Sequence, residues 1–153
     1  MRSAARCLAP CRSCDLTLAG MLQTNCTSAF SSSGFTPATS STIEVSAGVA
    51  TQLVIETAAD GPGSAIGAMR VTAGASFAAF ATTRDAHDNF VANASATWTL
   101  TGKTDGVADT GLSPDTGTSS TSTGHLIGTG AVHAEVGSFA DDAGTVTVAA
   151  AGR

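Results

Sequence analysis

Apolar and polar residues alternate along most of the chain from residue 41 onward. The clearest alternation runs from Ala94 to Thr101, where Ala96, Trp98 and Leu100 share one face and Ser or Thr residues occupy the other. A period of two residues is typical of a β-strand with one buried and one solvated face. We therefore predict a strand here, with Trp98 in the core and not on an exposed sugar-binding surface.

Seven further segments have the character of short strands, and none has helical periodicity. Turn residues separate them, and the strongest turn signal is the sequence DGPG at 60–63. The segments are 52–57, 69–71, 75–84, 107–112, 118–127, 129–136 and 145–150. Seven or eight short strands in succession predict an all-β sandwich or barrel.

Residues 1–40 have a different composition. They contain all four cysteines and the start of a Ser/Thr-rich run, which predicts a poorly structured leader or linker. The N-terminus makes a poor signal peptide, because Pro10, Arg12 and Asp15 interrupt any apolar region.

The cysteines are Cys7, Cys11, Cys14 and Cys26. The first three have the spacing that holds an iron–sulfur cluster in radical-SAM enzymes, but the chain offers nothing that could build the barrel of those enzymes. Zinc binding by these three together with Cys26 is chemically possible, because thiolates are good zinc ligands. We favour disulfides or free thiols, and we expect no cofactor.

A short internal similarity suggests a repeat. The segment 41–48 (STIEVSAG) resembles 144–152 (GTVTVAAAG) at an offset of about one domain. We therefore interpret 41–48 as the last strand of a preceding repeat, or a copy of it, and 49–153 as one domain of a longer chain. The alternative is a chance match, because the segment has only eight residues of simple composition.

Charge argues against two classes of partner. The net charge of the chain is −5, and from residue 41 onward four basic residues face eleven acidic ones. Such a surface repels phosphate backbones and anionic membranes, so we expect no nucleic-acid binding. No segment is long enough to span a membrane, so we also expect no membrane insertion by this chain.

Four segments in the same order resemble bacterial immunoglobulin-like repeats of the invasin and intimin type. They are 76–91 (SFAAFATTRDAHDNFV), 96–100 (ATWTL), 123–129 (TGHLIGT) and 144–148 (GTVTV). The first resembles the strand, Asp-Ala-x-Gly-Asn turn and strand of that family, and the second its strand with a core Trp. Two positions depart from the pattern: Asp88 stands where the turn usually has Gly, and Ser122 stands where an apolar core residue is expected.

The resemblance, which covers about residues 49–150, implies an immunoglobulin-like β-sandwich. It also implies a structural or adhesion module that acts as a stalk or spacer repeat in a secreted or cell-surface bacterial protein. The partners would be neighbouring immunoglobulin-like domains, with a host or matrix ligand unidentified. The alternative is a carbohydrate- or ligand-binding sandwich attached to a secreted enzyme, which the absence of Tyr and an aromatic content of 5% disfavour.

Candidate sites are few. Asp85, Asp88 and Asn89 place oxygen atoms on one tight turn, and such oxygens are suitable ligands for calcium. We favour a polar turn in which these side chains bond their own backbone. His87, His125 and His133 are isolated in sequence, and no nucleophile elbow or phosphate loop is present. We therefore expect no enzymatic activity.

Overall fold

The computed structural model describes residues 29–30, 33–42 and 44–151, and in this part of the chain β-strands dominate. The four cysteines lie outside the described residues. The strands are β1 (Ala29–Phe30), β2 (Ala38–Thr39), β3 (Gln52–Glu56), β4 (Met69–Thr72), β5 (Ser76–Arg84), β6 (Phe90–Asn93), β7 (Ala96–Thr101), β8 (Leu112–Ser113), β9 (Thr116–Gly117), β10 (Ser119–Thr123), β11 (Gly128–Val136), β12 (Phe139–Asp142) and β13 (Val146–Ala149).

Two sheets form the domain, and β1 and β2 pair separately. The first sheet has the order β3-β5-β10-β8, with β6 also paired to β5. The second has the order β4-β13-β11-β7-β9, with β12 also paired to β11. The orders β3-β5-β10-β8 and β7-β11-β13 match the ABED and CFG sheets of an immunoglobulin sandwich. The predicted all-β sandwich is therefore confirmed, and β4, β6, β9 and β12 add to the seven strands that follow this order.

The core lies between the inner faces of the two sheets. Trp98 is only 2% exposed, and its indole Nε1–H donates to the carbonyl oxygen of Gly117 at 2.9 Å. Its partner across the sheet is Ala134, which is fully buried. The other buried apolar residues of this cluster are Leu53, Ile55, Ile66, Ala79, Ala81, Ala94, Ala96, Leu100, Leu112, Val132 and Ala143. The predicted position of Trp98 in the core is confirmed.

Two predicted strands differ from the structure, and each has a local cause. The segment predicted as a strand at 107–112 contains a 3-10 helix, Asp109–Gly111, before β8. This helix forms because Asp109 Oδ1 accepts a hydrogen bond from the backbone N–H of Leu100, at 2.8 Å, which folds the segment back onto β7. The strand predicted at 118–127 ends at Thr123, because a loop turns the chain towards β11.

A side chain also links the two sheets where their edge strands, β3 and β12, approach each other. Asp141 of β12 accepts a hydrogen bond from the backbone N–H of Ile55 at 2.8 Å. The chain then crosses between the sheets after β3, where the N–H of Ile66 donates to the carbonyl oxygen of Ile55 and the N–H of Gly144 donates to that of Ile66. Backbone groups at this edge of the sandwich thereby have hydrogen-bond partners without a further strand.

Candidate functional site

The chain reaches and leaves the sandwich at opposite ends of β5. The N–H of Thr51, just before β3, donates to the carbonyl oxygen of Arg84 at the last residue of β5. The carbonyl oxygen of Ala149, the last residue of β13, accepts from Ala73, close to the start of β5 at Ser76. Nine residues of strand span about 27 Å. We call these two regions the N-terminal end and the C-terminal end of the sandwich.

At the N-terminal end, the carboxylate of Asp85 organises the turn between β5 and β6. Its Oδ1 accepts hydrogen bonds from the backbone N–H groups of His87 and Asn89, at 2.9 and 3.0 Å. Its Oδ2 accepts from the backbone N–H of Gly48, at 2.8 Å, which lies in the segment that leads into β3. Hydrogen bonds from Gly48 and from the Asn89 side chain hold the pKa of the Asp85 carboxyl well below its usual range. One carboxylate thus fixes both the turn and the incoming chain.

The three calcium candidates all have hydrogen-bond partners within the chain. The Asn89 amide donates to both oxygens of Asp85, at 3.2 and 3.0 Å. Asp88 has a positive φ of 62°, which Asp tolerates, and its side chain accepts from Gln52 of β3. The structure therefore brings Asp85 and Asn89 together and turns Asp88 towards β3. Over residues 29–30, 33–42 and 44–151, no group of three or more His, Cys, Asp or Glu is placed to hold a metal ion.

A buried ion pair lies beside this turn, and the pattern of alternation does not predict it. Arg84 Nε donates to Glu56 Oε1 at 2.5 Å. Its two other nitrogens donate to the carbonyl oxygens of Asp88, at 2.6 Å, and Gly61, at 3.2 Å. Glu56 is only 1% exposed, because the backbone of the 57–63 turn packs on it, and a Cβ on Gly63 would lie 2.8 Å from its Oε2. Arg84 therefore ties two turns to the sheet.

The C-terminal end contains a cavity of about 200 Å³ between the sheets. Its walls are mainly apolar, and Ser122 of β10 lies among them with its side chain buried. Leu126 and Ile127, which follow Gly124 in the loop to β11, are 60% and 58% exposed. The lining residues are Val71, Leu100, Gly106, Val107, Ala108, Thr110, Ser122, Thr123, Gly124, His125, Leu126, Gly130, Val146 and Val148.

His133 is not isolated in the structure, which corrects the expectation from sequence. Its Nδ1 lies 3.0 Å from Asp142 Oδ1, and its Nε2 lies 3.4 Å from Glu135 Oε1. The Thr101 hydroxyl donates to the same Asp142 oxygen at 2.7 Å, and this bond is the main cause that lowers the pKa of Asp142. Acyl transfer requires a nucleophile bonded to the histidine. Here the hydroxyl is bonded to the carboxylate, so the cluster lacks that arrangement.

No family model, curated protein or solved structure matches the chain. Among the described residues, no helix has the length and apolar character needed to cross a membrane.

Proposed function

We propose that the chain is a structural or adhesion module of a secreted or cell-surface bacterial protein, where it acts as a stalk or spacer repeat. The observation that carries this proposal is the placement of the chain's two connections at opposite ends of the sandwich, near Arg84 and near Ala149. Units joined in this way follow head to tail, so each one adds its full length to the array. Neighbouring immunoglobulin-like domains are the partners of such a unit.

The contacts at the N-terminal end also suit a spacer. The Asp85 carboxylate holds the N–H of Gly48, which lies at the end of the segment interpreted from sequence as the last strand of a preceding repeat. A linker held by the domain that follows it has less freedom to bend than a free one. The Arg84–Glu56 pair keeps the two adjacent turns in place, so the anchor itself is supported.

Tension along the chain would load the parallel pair β4 and β13. Four register pairs join these strands, from Met69 and Val146 to Thr72 and Ala149. Force applied at opposite ends of the sandwich pulls along β4 and β13, so all four register pairs resist it together. Force applied to both strands at one end instead separates the pairs one after another.

Force spectroscopy on the full chain tests this role. Handles at the two termini should give a higher unfolding force than one handle at the C-terminus and one at Thr72, the exposed last residue of β4, which pairs with Ala149. Equal forces in the two geometries would argue against a load-bearing unit.

The gene provides a second test. Further copies of the pattern Arg84-Asp85-Ala86, Trp98 and 124–126 (GHL), at one-domain spacing beside this chain, would support a stalk. A gene without such copies, together with a measurable hydrolase activity, would contradict it.

A further inference from the structure

The cavity at the C-terminal end is large for the interior of a domain. Protein interiors are close-packed, and voids larger than a water molecule are few. This one measures about 200 Å³ and lies between β10 of one sheet and β13 of the other. An engineered apolar cavity of about 150 Å³ stays dry and binds benzene. The space is therefore sufficient for a substituted single ring, and it is below the ~300–1,000 Å³ of sites for drug-sized ligands.

The space in the cavity lies beside Ser122 and not beside the neighbouring glycines, Gly124 and Gly130. A Cβ added to Gly124 would lie 2.9 Å from both methyl groups of Val148, and a Cβ on Gly130 would lie 3.1 Å from Val107. The backbone at these glycines therefore already packs against the apolar wall. Ser122, by contrast, is a buried, inward-facing position, and its small side chain leaves space between the sheets.

The cavity opens to solvent beside Leu126. A Cβ on Gly106 would lie only 2.5 Å from Leu126 Cβ, so Leu126 rests directly on the backbone of the 102–108 segment. The rest of Leu126 stays exposed, together with Ile127. His125 and Thr110 complete the rim and are also exposed. A ligand can enter past these side chains without disturbing the buried Trp98 cluster.

The polar groups that line the cavity indicate which chemical group a ligand needs. Val71, Leu100 and Val146 form an apolar wall from three different strands. Among the hydrogen bonds of the described part of the chain, none involves the hydroxyl of Ser122, whereas that of Thr123 is bonded to Ser76. The buried polar atoms that lack a partner in the described chain are Glu56 Oε2 and Ser120 Oγ, so the unpaired Ser122 oxygen is accessible from the cavity that it lines. A ligand with a hydrogen-bonding group can therefore bond it.

We propose that this cavity binds a small, mainly apolar molecule of single-ring size that carries one hydrogen-bonding group, such as a phenol, with Ser122 as its polar anchor. The cavity lies within one unit, but its mouth is at the C-terminal end, where the proposed stalk would place the next unit. Its lining contains neither Trp nor Phe within the described chain, so it does not have the stacking surface that glycans favour.

The test uses the full chain, titrated with p-cresol and with toluene and followed by two-dimensional amide NMR. Saturable shifts should be confined to the residues around the cavity, with p-cresol bound about 2- to 10-fold more tightly than toluene because of one hydrogen bond. Ser122→Ala should abolish the preference for p-cresol while toluene still binds. Shifts that do not saturate, or a preference that survives Ser122→Ala, would overturn the proposal.

Filling the cavity provides the matched control. Ser122→Leu should abolish binding of both probes and raise the melting temperature, whereas Thr121→Leu, on the exposed face of the same strand, should leave binding unchanged. If Ser122→Leu does not fold, Ser122→Val provides the smaller filling side chain, with weakened binding expected. Undiminished binding in the filled variant would overturn the proposal. So would concentration-dependent shifts of the same residues without probe, because they would show that a second copy of the chain occupies the cavity.

Discussion

Replacing Arg84 by Met should destabilise the sandwich strongly, because it leaves Glu56 buried without a counter-charge. Glu56 is 1% exposed, and its Oε2 already lacks a hydrogen-bond partner among the described residues. Removing one member of a buried ion pair costs about 3–5 kcal/mol. A domain of this size has about 5–15 kcal/mol of stability in total. We therefore expect Arg84→Met to lower the melting temperature by more than about 10 °C.

The assay is thermal and urea unfolding of the full chain, each followed by the fluorescence of Trp98, the only tryptophan, which is buried in the core. The matched control is Lys103→Met. Lys103 and Asp109 form an ion pair at 2.6 Å, but their side chains are 37% and 54% exposed. An exposed pair contributes about 0–1 kcal/mol, so the control should change stability little.

A double variant separates the buried charge from the rest of the contact. Arg84→Met combined with Glu56→Leu removes both charges, so it should be more stable than Arg84→Met alone. Part of the loss should remain, since the carbonyl oxygens of Asp88 and Gly61 also lose their donor. The reasoning is refuted if Arg84→Met lowers the free energy of unfolding no more than Lys103→Met does. It is also refuted if adding Glu56→Leu to Arg84→Met lowers that free energy by as much as Glu56→Leu does alone.

Three further predictions concern the core, the turn and the leader. Trp98→Ala should cost about 3–5 kcal/mol and bring the domain close to unfolding, as measured by circular dichroism melts; a small shift would show that the core does not depend on the ring. For Asp85, the folded pKa lies below the unfolded value near 3.8, so its contribution is present above that pH and is lost as the pH falls through the folded value. The stability difference between the wild type and Asp85→Asn should therefore be largest above about pH 5 and shrink below about pH 4, in urea unfolding at several pH values; a difference independent of pH would contradict this. A chain that begins at residue 41 should melt within a few degrees of the full chain, because residues 33–39 are exposed; a large loss of stability would show that the leader packs on the sandwich.

Alternation along single strands predicted much of the fold. The inward positions Ala96, Trp98 and Leu100 are all buried, as their period of two indicated. In β3 the same period of two puts Glu56 on the face opposite Leu53 and Ile55, yet it is buried. Periodicity describes one strand at a time, and Glu56 is buried by a turn that follows it and by Arg84, which is 28 residues away.

Side chains that bond distant backbone groups explain the other differences. Asp109 accepts from Leu100 and Asp141 accepts from Ile55, and these contacts end or align segments that composition alone does not distinguish from ordinary strands or loops. For the candidate sites, the polar turn at Asp85 followed from residue types, because Asp and Asn commonly bond local backbone. The family resemblance placed Ser122 where an apolar core residue is expected, whereas the cavity depends on how five strands converge, namely β4, β7, β10, β11 and β13.

The two proposals place different requirements on the C-terminal end of the sandwich. A stalk sets the next unit against this end, whereas ligand binding needs the mouth beside Leu126 and Ile127 to stay open. Both side chains are exposed and apolar, so a neighbour that packed on them would gain hydrophobic burial and would close the cavity. Ligand exchange would then be confined to units whose C-terminal end is uncovered. In an array of such units, the interior ones would act as spacers, and the unit at the C-terminal end of the array would be the one able to bind.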